Sequence, residues 1–429
     1  MERRYDVIVV GARCAGAPTA MLLARRGHKV LLVDRSRFPS EMPHGHFIHR
    51  HGPRRLHDWG LLDRVIATGC PPSTTITMDT GDICLVGRDL VVDGVAAGYG
   101  PRRAALDMLL VEAAVEAGTE LREGFAIEEY LTEENRVVGI RGQDCSRGSR
   151  VTEHAAITVG ADGRGSLLAR TVRAAEYEFV PALMCWYFSY WSGDLRGLEL
   201  YVRGKRAIFA HPTNDSLFAV FVGFPIGEQR AVQADLEWQF MAAVDLAPNL
   251  ADLVRSGERV ERFYGAANLP NFLRTPCGPG WALVGDASCH KDPYLALGIC
   301  DAFRDADLMS DAIDRQLSGA RRHDLSMADY EQRRNEATMA DYRMNLELAQ
   351  FKPLSAEQRR LLEAVRGNQE ATNQFLMARE GMIAPETFFN PQNLRRIGAD
   401  ATSMQRQLHR IQQESHRTPD SLSFRSYRE

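Results

Sequence analysis

The segment Gly11-Ala12-Arg13-Cys14-Ala15-Gly16 constrains the fold of this 429-residue chain more than any other. It follows the apolar run Asp6 to Val10 and precedes an Ala- and Leu-rich stretch, Ala17 to Arg26, closed by Gly27. β-Branched residues without alternation read as a parallel strand buried on both faces, and Lys29 to Val33 reads as a second. The spacing predicts strand, tight turn, helix and strand, with Asp34 ending the unit 23 residues after Gly11. Gly11 permits the turn and Gly16 lets the helix lie close to the strand. The helix N-terminus, entered through Cys14 and Ala15, offers free N–H groups and partial positive charge to a pyrophosphate. Asp34, followed by Arg35, stands where a carboxylate accepts hydrogen bonds from an adenosine ribose. Arg13 takes the place of the middle glycine of G-x-G-x-x-G, so the backbone approaches a pyrophosphate less closely there, and its guanidinium can bring charge to the phosphates.

Two later segments decide between dinucleotides. Val159-Gly160-Ala161-Asp162-Gly163 ends an apolar strand before a short helix, Ser166 to Val172. Trp281 to Ala287 ends another strand in Gly285-Asp286 and runs through Pro293 and Gly298 into a helix. A carboxylate at the C-terminal end of a parallel strand points into the cofactor crevice, where Asp286 can accept from a ribityl chain. The helix from Gly298 would aim its N-terminal dipole at negative charge developing on a ring carbonyl. Pro101-Arg102-Arg103, followed by Leu106 and Leu110, adds a fourth segment.

These motifs, in this order over about the first 320 residues, resemble the class A (para-hydroxybenzoate hydroxylase-like) flavoprotein monooxygenases. The resemblance implies FAD as cofactor, with Arg103 contacting it and His46 at a position where relatives hold a basic residue for cofactor or pyridine-nucleotide contact. It implies NAD(P)H as a transient co-substrate, O2 as oxidant through a C4a-hydroperoxyflavin, and oxygenation of a small aromatic or apolar organic molecule. The chain departs from the family at the flavin edge. Cys289 replaces the usual histidine, Ala296-Leu297-Gly298 stands for Gly-Gln-Gly, and Cys300 replaces an asparagine. A geranylgeranyl-reductase-type enzyme shares the glycine turn and the Gly-Asp segment and stays open as an alternative, as does a non-catalytic flavin-binding redox protein. The Trp-x-Trp-x-Ile-Pro sequence of flavin-dependent halogenases is missing, which makes halogenation remote.

The expected fold is α/β: a Rossmann-type, GR2-like FAD-binding domain with a parallel sheet, an inserted and mostly antiparallel substrate sheet, and a C-terminal helical region. The FAD domain is assigned to 1–75, 101–175 and 271–320, and the substrate domain to 76–100 and 176–270. Helices occupy 321–400 and a polar tail 401–429. The aromatic run Ala182 to Trp191 alternates as a strand would, placing Trp186, Phe188 and Tyr190 on one face. These residues and His211 are candidate substrate contacts, with plain sheet core as the other reading. No side-chain acid–base pair is demanded, because the flavin carries the chemistry; His46 is the one side-chain candidate.

Composition adds exclusions. A net charge of −4 gives no electrostatic reason for a nucleic-acid partner, and the longest apolar runs are strand-length, too short to span a bilayer. The strand begins almost at Met1, leaving no room for a signal peptide, so a cytoplasmic location is expected. The eight cysteines include no Cys-x-x-Cys pair and read as reduced thiols. His44, His46, His49 and His51 share one loop but match no zinc spacing, so no metal is expected, and exposed loop histidines are the plain alternative. A homodimer is possible.

Overall fold

The computed structural model describes residues 5–145, 148–319 and 323–398; the expected polar tail lies outside them. The chain opens as the glycine turn dictates. Strand β1 (Tyr5–Val10) leads into helix α1 (Gly16–Arg25) and returns as β2 (Val30–Asp34). Helix α2 (Arg103–Glu116) packs on α1. It feeds the strand Glu120–Glu123, which adds in parallel to β2. The twelve-residue β3 (Ser149–Gly160) pairs in parallel with β1 along its C-terminal half. Its N-terminal half forms an antiparallel meander with Phe125–Glu133 and Arg136–Asp144. Both faces of β1 are covered: Val7 and Val9 pack with α1 and α2, while Ile8 and Val10 pack with Leu31, Val33 and Leu283. This is why the strand shows no polar alternation.

A second sheet of seven strands stands beside the first. Its centre is an antiparallel run of β4 (Met184–Ser192), β5 (Arg206–Pro212) and β6 (Leu217–Pro225), with β6 in the middle. Ile76–Asp79 joins its far side through Leu198–Arg203. Alternation along β4 divides the aromatics as the pattern predicts. Trp186, Phe188 and Tyr190 share a cluster with Phe47, Phe209 and Phe221, while Tyr187 and Trp191 pack on helices Leu236–Val244 and Pro248–Ser256. Glu176–Val180 stays out of this sheet and pairs with Asn271–Arg274.

Strand β7 (Trp281–Leu283) returns to the first sheet beside β3. Helix α3 (Gly298–Leu317) then crosses α1. Five C-terminal helices follow among the described residues: α4 (His323–Ala349), α5 (Ala356–Val365), α6 (Gln369–Arg379) and the short Pro385–Phe388 and Pro391–Arg396. Leu361, Leu362, Phe375 and Leu376 of α5 and α6 join the cluster of Trp186 and Phe188, so the last helices pack on the second sheet and bridge to the first through α4.

The glycine turn admits little change. Gly11 has φ +103°, and a Cβ there would lie 2.4 Å from the Ala161 carbonyl oxygen; one at Gly16 would lie 1.7 Å from that of Gly11. Gly11→Ala is expected to lose about 1–3 kcal/mol from backbone strain and to displace the turn. Chemical denaturation and FAD content of the purified variant would check both; wild-type values in both would mean that the turn tolerates a side chain.

Candidate cofactor and substrate site

The C-terminal ends of β1, β2, β3 and β7 converge on one crevice edge, where the order of connections reverses and a ligand binds in sheets of this kind. Asp34, at the tip of β2, accepts hydrogen bonds from the backbone N–H of Ala12 (2.7 Å) and of Ser36 (2.7 Å). Its carboxylate is therefore locked in place, with lone pairs left for a ribose. Arg35 is exposed beside it. Asp162, at the tip of β3, caps the next helix by accepting from Leu167 N–H (2.8 Å), while its other oxygen is buried with no partner among the described residues. Burial pushes its carboxyl above the usual range, against the hydrogen bonds from Ser166 and Leu167.

Arg13, expected to bring charge to the phosphates, is also bound within the protein. Its guanidinium is held by Asp107 and reaches Ser36 and Ser40 through the other nitrogen (3.3 and 3.0 Å). Asp107, fully buried on α2, also accepts from Arg103 (2.9 Å) and from the Cys14 thiol (3.5 Å). Burial, with Asp107 beside it, pushes that thiol up to about 12, so it stays protonated. One carboxylate thus fastens the glycine turn to α2 through two arginines. Sequence reading missed Asp107; its only signal was the i, i+4 spacing to Arg103.

Gly285 has φ +58°, and a Cβ there would sit 2.8 Å from that of Ala15. This close approach brings half-buried Asp286 to the mouth of the turn, within electrostatic reach of Arg103. Beyond it, Pro293 is exposed at the start of a short 3-10 turn capped by Asp292, and Gly298 is exposed at the first position of α3. Leu297, the residue before α3, supplies no side-chain cap, so the first N–H groups of that helix are free for a ligand.

The loop histidines are a correction to the exposed reading. His46 and His49 are buried, whereas His44 and His51 are exposed. The His46 ring lies edge-on to His211 (centroids 4.7 Å apart) and 5.6 Å from Tyr190. Arg102 stacks its guanidinium 3.9 Å from the centre of Tyr190 and pairs with Glu261. Burial lowers His46 well below the usual imidazole range, helped by His211, Arg103 and Arg102, and burial takes His211 to about 4. Both rings are therefore neutral near pH 7. Both His46 nitrogens, His211 Nε2 and Arg102 Nη1 are buried with no partner among the described residues. Phe188 and Phe221, stacked at 4.6 Å, continue this wall. Trp186 lies at its far end and donates to Asp292 (3.0 Å), whose carboxyl burial raises to about 6.

The residues present fit a dinucleotide. The glycine cradle has no space for side chains, the N-terminus of α1 has no side-chain cap, and two carboxylates and two arginines flank it. Among the described residues no group of three His, Cys, Asp or Glu could hold a metal ion, and no helix is long and apolar enough to cross a membrane.

The sequence matches the model of the FAD binding domain family over residues 4–343. A 1H-pyrrole-2-carbonyl-[peptidyl-carrier protein] brominase of Pseudoalteromonas luteoviolacea is 21% identical over 74% of this chain and 79% of its own. A digeranylgeranylglycerophospholipid reductase of Methanococcoides burtonii is 24% identical over 70% and 72%. Kynurenine 3-monooxygenase of Salinispora arenicola is 27% identical over 84% and 82%. The solved structure of the flavin-dependent brominase Bmp2 superposes with a TM-score of 0.76 at 17% identity, covering 96% of this chain and 99% of that one.

Two measurements test the site. Asp286→Ala is expected to weaken FAD retention about tenfold, the worth of a hydrogen bond to a charged group; unchanged flavin content would remove Asp286 from the site. His211 is neutral when folded and protonates more readily when unfolded. Its contribution to stability is thus full above pH 6.5 and falls by about 3 kcal/mol as pH drops to 4. The difference in stability between wild type and His211→Phe should follow that curve, and a pH-independent difference would contradict the neutral assignment.

Proposed function

The chain belongs to the FAD binding domain family of class A flavoproteins and is an FAD-dependent oxidoreductase; on that premise we propose that it is a monooxygenase. It would use NAD(P)H and O2 to oxygenate a small aromatic or apolar organic substrate. The observation that carries this reading is the wall of Phe188, Tyr190 and Phe221 with His46, His211 and Arg102 set among the rings. Such a wall offers apolar area to a ring and a few hydrogen-bonding atoms to orient it.

Bound FAD supplies hydride acceptance and, once reduced, activation of O2. The protein's residues do the rest. The glycine turn and α1 hold the pyrophosphate, Asp34 the ribose and Asp286 the ribityl chain, while Arg103 braces the cofactor from α2. Trp186, Phe188 and Tyr190 exclude water from the substrate side. With both rings neutral, His211 Nε2 accepts a hydrogen bond, since Nδ1 donates to the Pro212 carbonyl (3.0 Å). His46 can both accept and donate.

A second reading is halogenation by the same activated oxygen, favoured by the brominase relative although the chain lacks the Trp-x-Trp-x-Ile-Pro sequence. The reductase relative supports a third, double-bond reduction. One experiment separates them. The holoenzyme is reduced with NADPH or NADH, supplied with O2 and an aromatic panel with or without bromide, and its products are weighed by mass spectrometry. A gain of one oxygen with stoichiometric O2 uptake is the expected result. Bromide incorporation would move the reaction to halogenation, and anaerobic gain of two hydrogens to reduction. Tyr190→Ala is expected to raise KM at least tenfold with smaller loss of kcat, and an unchanged KM would take the aromatic wall out of substrate binding.

A further inference from the structure

The short loop from Asp292 to Leu297, which delivers the chain to the open N-terminus of α3, is held from the C-terminal helices. Asn345 of α4 accepts from Leu295 N–H (3.1 Å) and donates to the Asp292 carbonyl (2.9 Å). Phe351, just past α4, meets the Tyr294 ring edge-on at 6.1 Å. The third tether runs through His49. Its Nδ1 lies 2.7 Å from Oε2 of Glu380, the residue that follows α6, and its Nε2 lies 3.0 Å from the Leu295 carbonyl and 3.2 Å from that of Ala296. Ala296 sits at φ +52°, a left-handed conformation that a non-glycine residue keeps only under restraint.

The partners of His49 determine its protons. Carbonyl oxygens accept only. Glu380, although buried, is held at about 2 because His49, Arg379 and Arg50 together outweigh the effect of burial, so it too only accepts. With a carboxylate at Nδ1 and two carbonyls at Nε2, both ring nitrogens of His49 face acceptors, and the geometry is that of an imidazolium donating from both. The charges around the pair leave a positive surplus beneath the loop. Arg50 is paired to Asp341 (3.0 Å), and Arg379 stands 3.7 Å from the other oxygen of Glu380. Lys291 and Arg304 share Asp301, and Arg304 also reaches Asp305. An imidazolium donating to the Leu295 and Ala296 carbonyls polarises the peptide groups that follow, and hydrogen bonds in such a chain strengthen one another. Those peptides end in the free N–H groups at the start of α3.

We propose that Glu380, acting through His49, is a positioning residue by which the C-terminal helices set the charge presented to the flavin at the N-terminus of α3 and so raise its reduction potential. The sign follows from electrostatics. Reduction adds negative charge to the ring system, and a fixed positive charge with polarised N–H donors stabilises the reduced form more than the oxidised one. This inference rests on the FAD site and not on the monooxygenase reading, because the potential is measured without turnover.

The test is the two-electron midpoint potential of the FAD-loaded protein, read by dye-coupled reduction, in wild type, Glu380→Gln, His49→Gln and the double variant. His49→Gln removes the positive charge, and Glu380→Gln removes the carboxylate to which His49 Nδ1 donates and with it the second proton of the ring. Each is therefore expected to lose at least tenfold in the preference for reduced over oxidised flavin, a fall of about 30 mV. A rise in Glu380→Gln would overturn the path through His49. The double variant should fall no further than the larger single one, since both act through one path. Midpoints equal to wild type in variants that keep their FAD would overturn the proposal, whatever happens to thermal stability, and would leave the pair a brace. If Glu380→Gln does not fold, His49→Gln carries the same test, because the amide keeps a donor for the carbonyls without the charge. Loss of the fold in both would also overturn it, assigning the pair to stability alone.

Discussion

The cofactor half of the molecule depends on one buried carboxylate. Asp107 accepts from Arg13, Arg103 and Cys14 at once, joining the glycine turn to a helix that lies about ninety residues further along. Two guanidinium groups share a single anion there, so the turn keeps positive charge after the internal pairing is counted. A buried surplus of that kind is costly unless an anion completes it. A pyrophosphate lying on the N-terminus of α1 would complete it. Arg13, where the pattern has glycine, thus serves as a strut that lets α2 and the turn move as one body. The loss of close backbone approach at that position is offset by a rigid surrounding.

The half that carries the aromatic wall shows the opposite arrangement. Four nitrogens of His46, His211 and Arg102 lie buried without partners among the described residues, and each such group costs about 1–3 kcal/mol. Natural cores rarely hold several in one place. On the proposed reading their clustering on the aromatic wall serves recognition, with stability given up for oriented hydrogen bonding. The neutral state of both imidazoles follows from the same burial, and neutral rings can accept as well as donate, which a wall of arginines could not.

The parts legible in the sequence were those in which chemistry and local geometry coincide. Gly11, Gly16 and Asp34 announce their roles through spacing along strand, turn and helix, and the β4 aromatics through alternation. The FAD cofactor and the two-sheet architecture followed from them. What sequence could not give were pairings between distant segments. His49 and Glu380 are 331 positions apart, and nothing in either neighbourhood marks them as partners. The histidine loop misled for a related reason. Its Pro- and Gly-rich composition is that of a surface loop, yet Phe47 and Ile48 draw it into two different cores and take His46 and His49 inward with them.

Relatives named as a brominase, a reductase and a monooxygenase are all matched at comparable identity, so the fold and the cofactor cannot by themselves choose the reaction. The resemblance that points to the family also marks departures from its pattern, at Arg13 and at Cys289, Ala296, Leu297 and Cys300. Cys300 donates its thiol to the His49 carbonyl (2.9 Å), and a side chain on nearby Gly52 would lie 3.0 Å from that sulfur. Cys300 thereby ties the start of α3 to the same histidine that holds the Leu295 and Ala296 carbonyls. On the proposed reading, polar control of the loop comes from behind it, through Glu380 and the charges carried with it on the C-terminal helices.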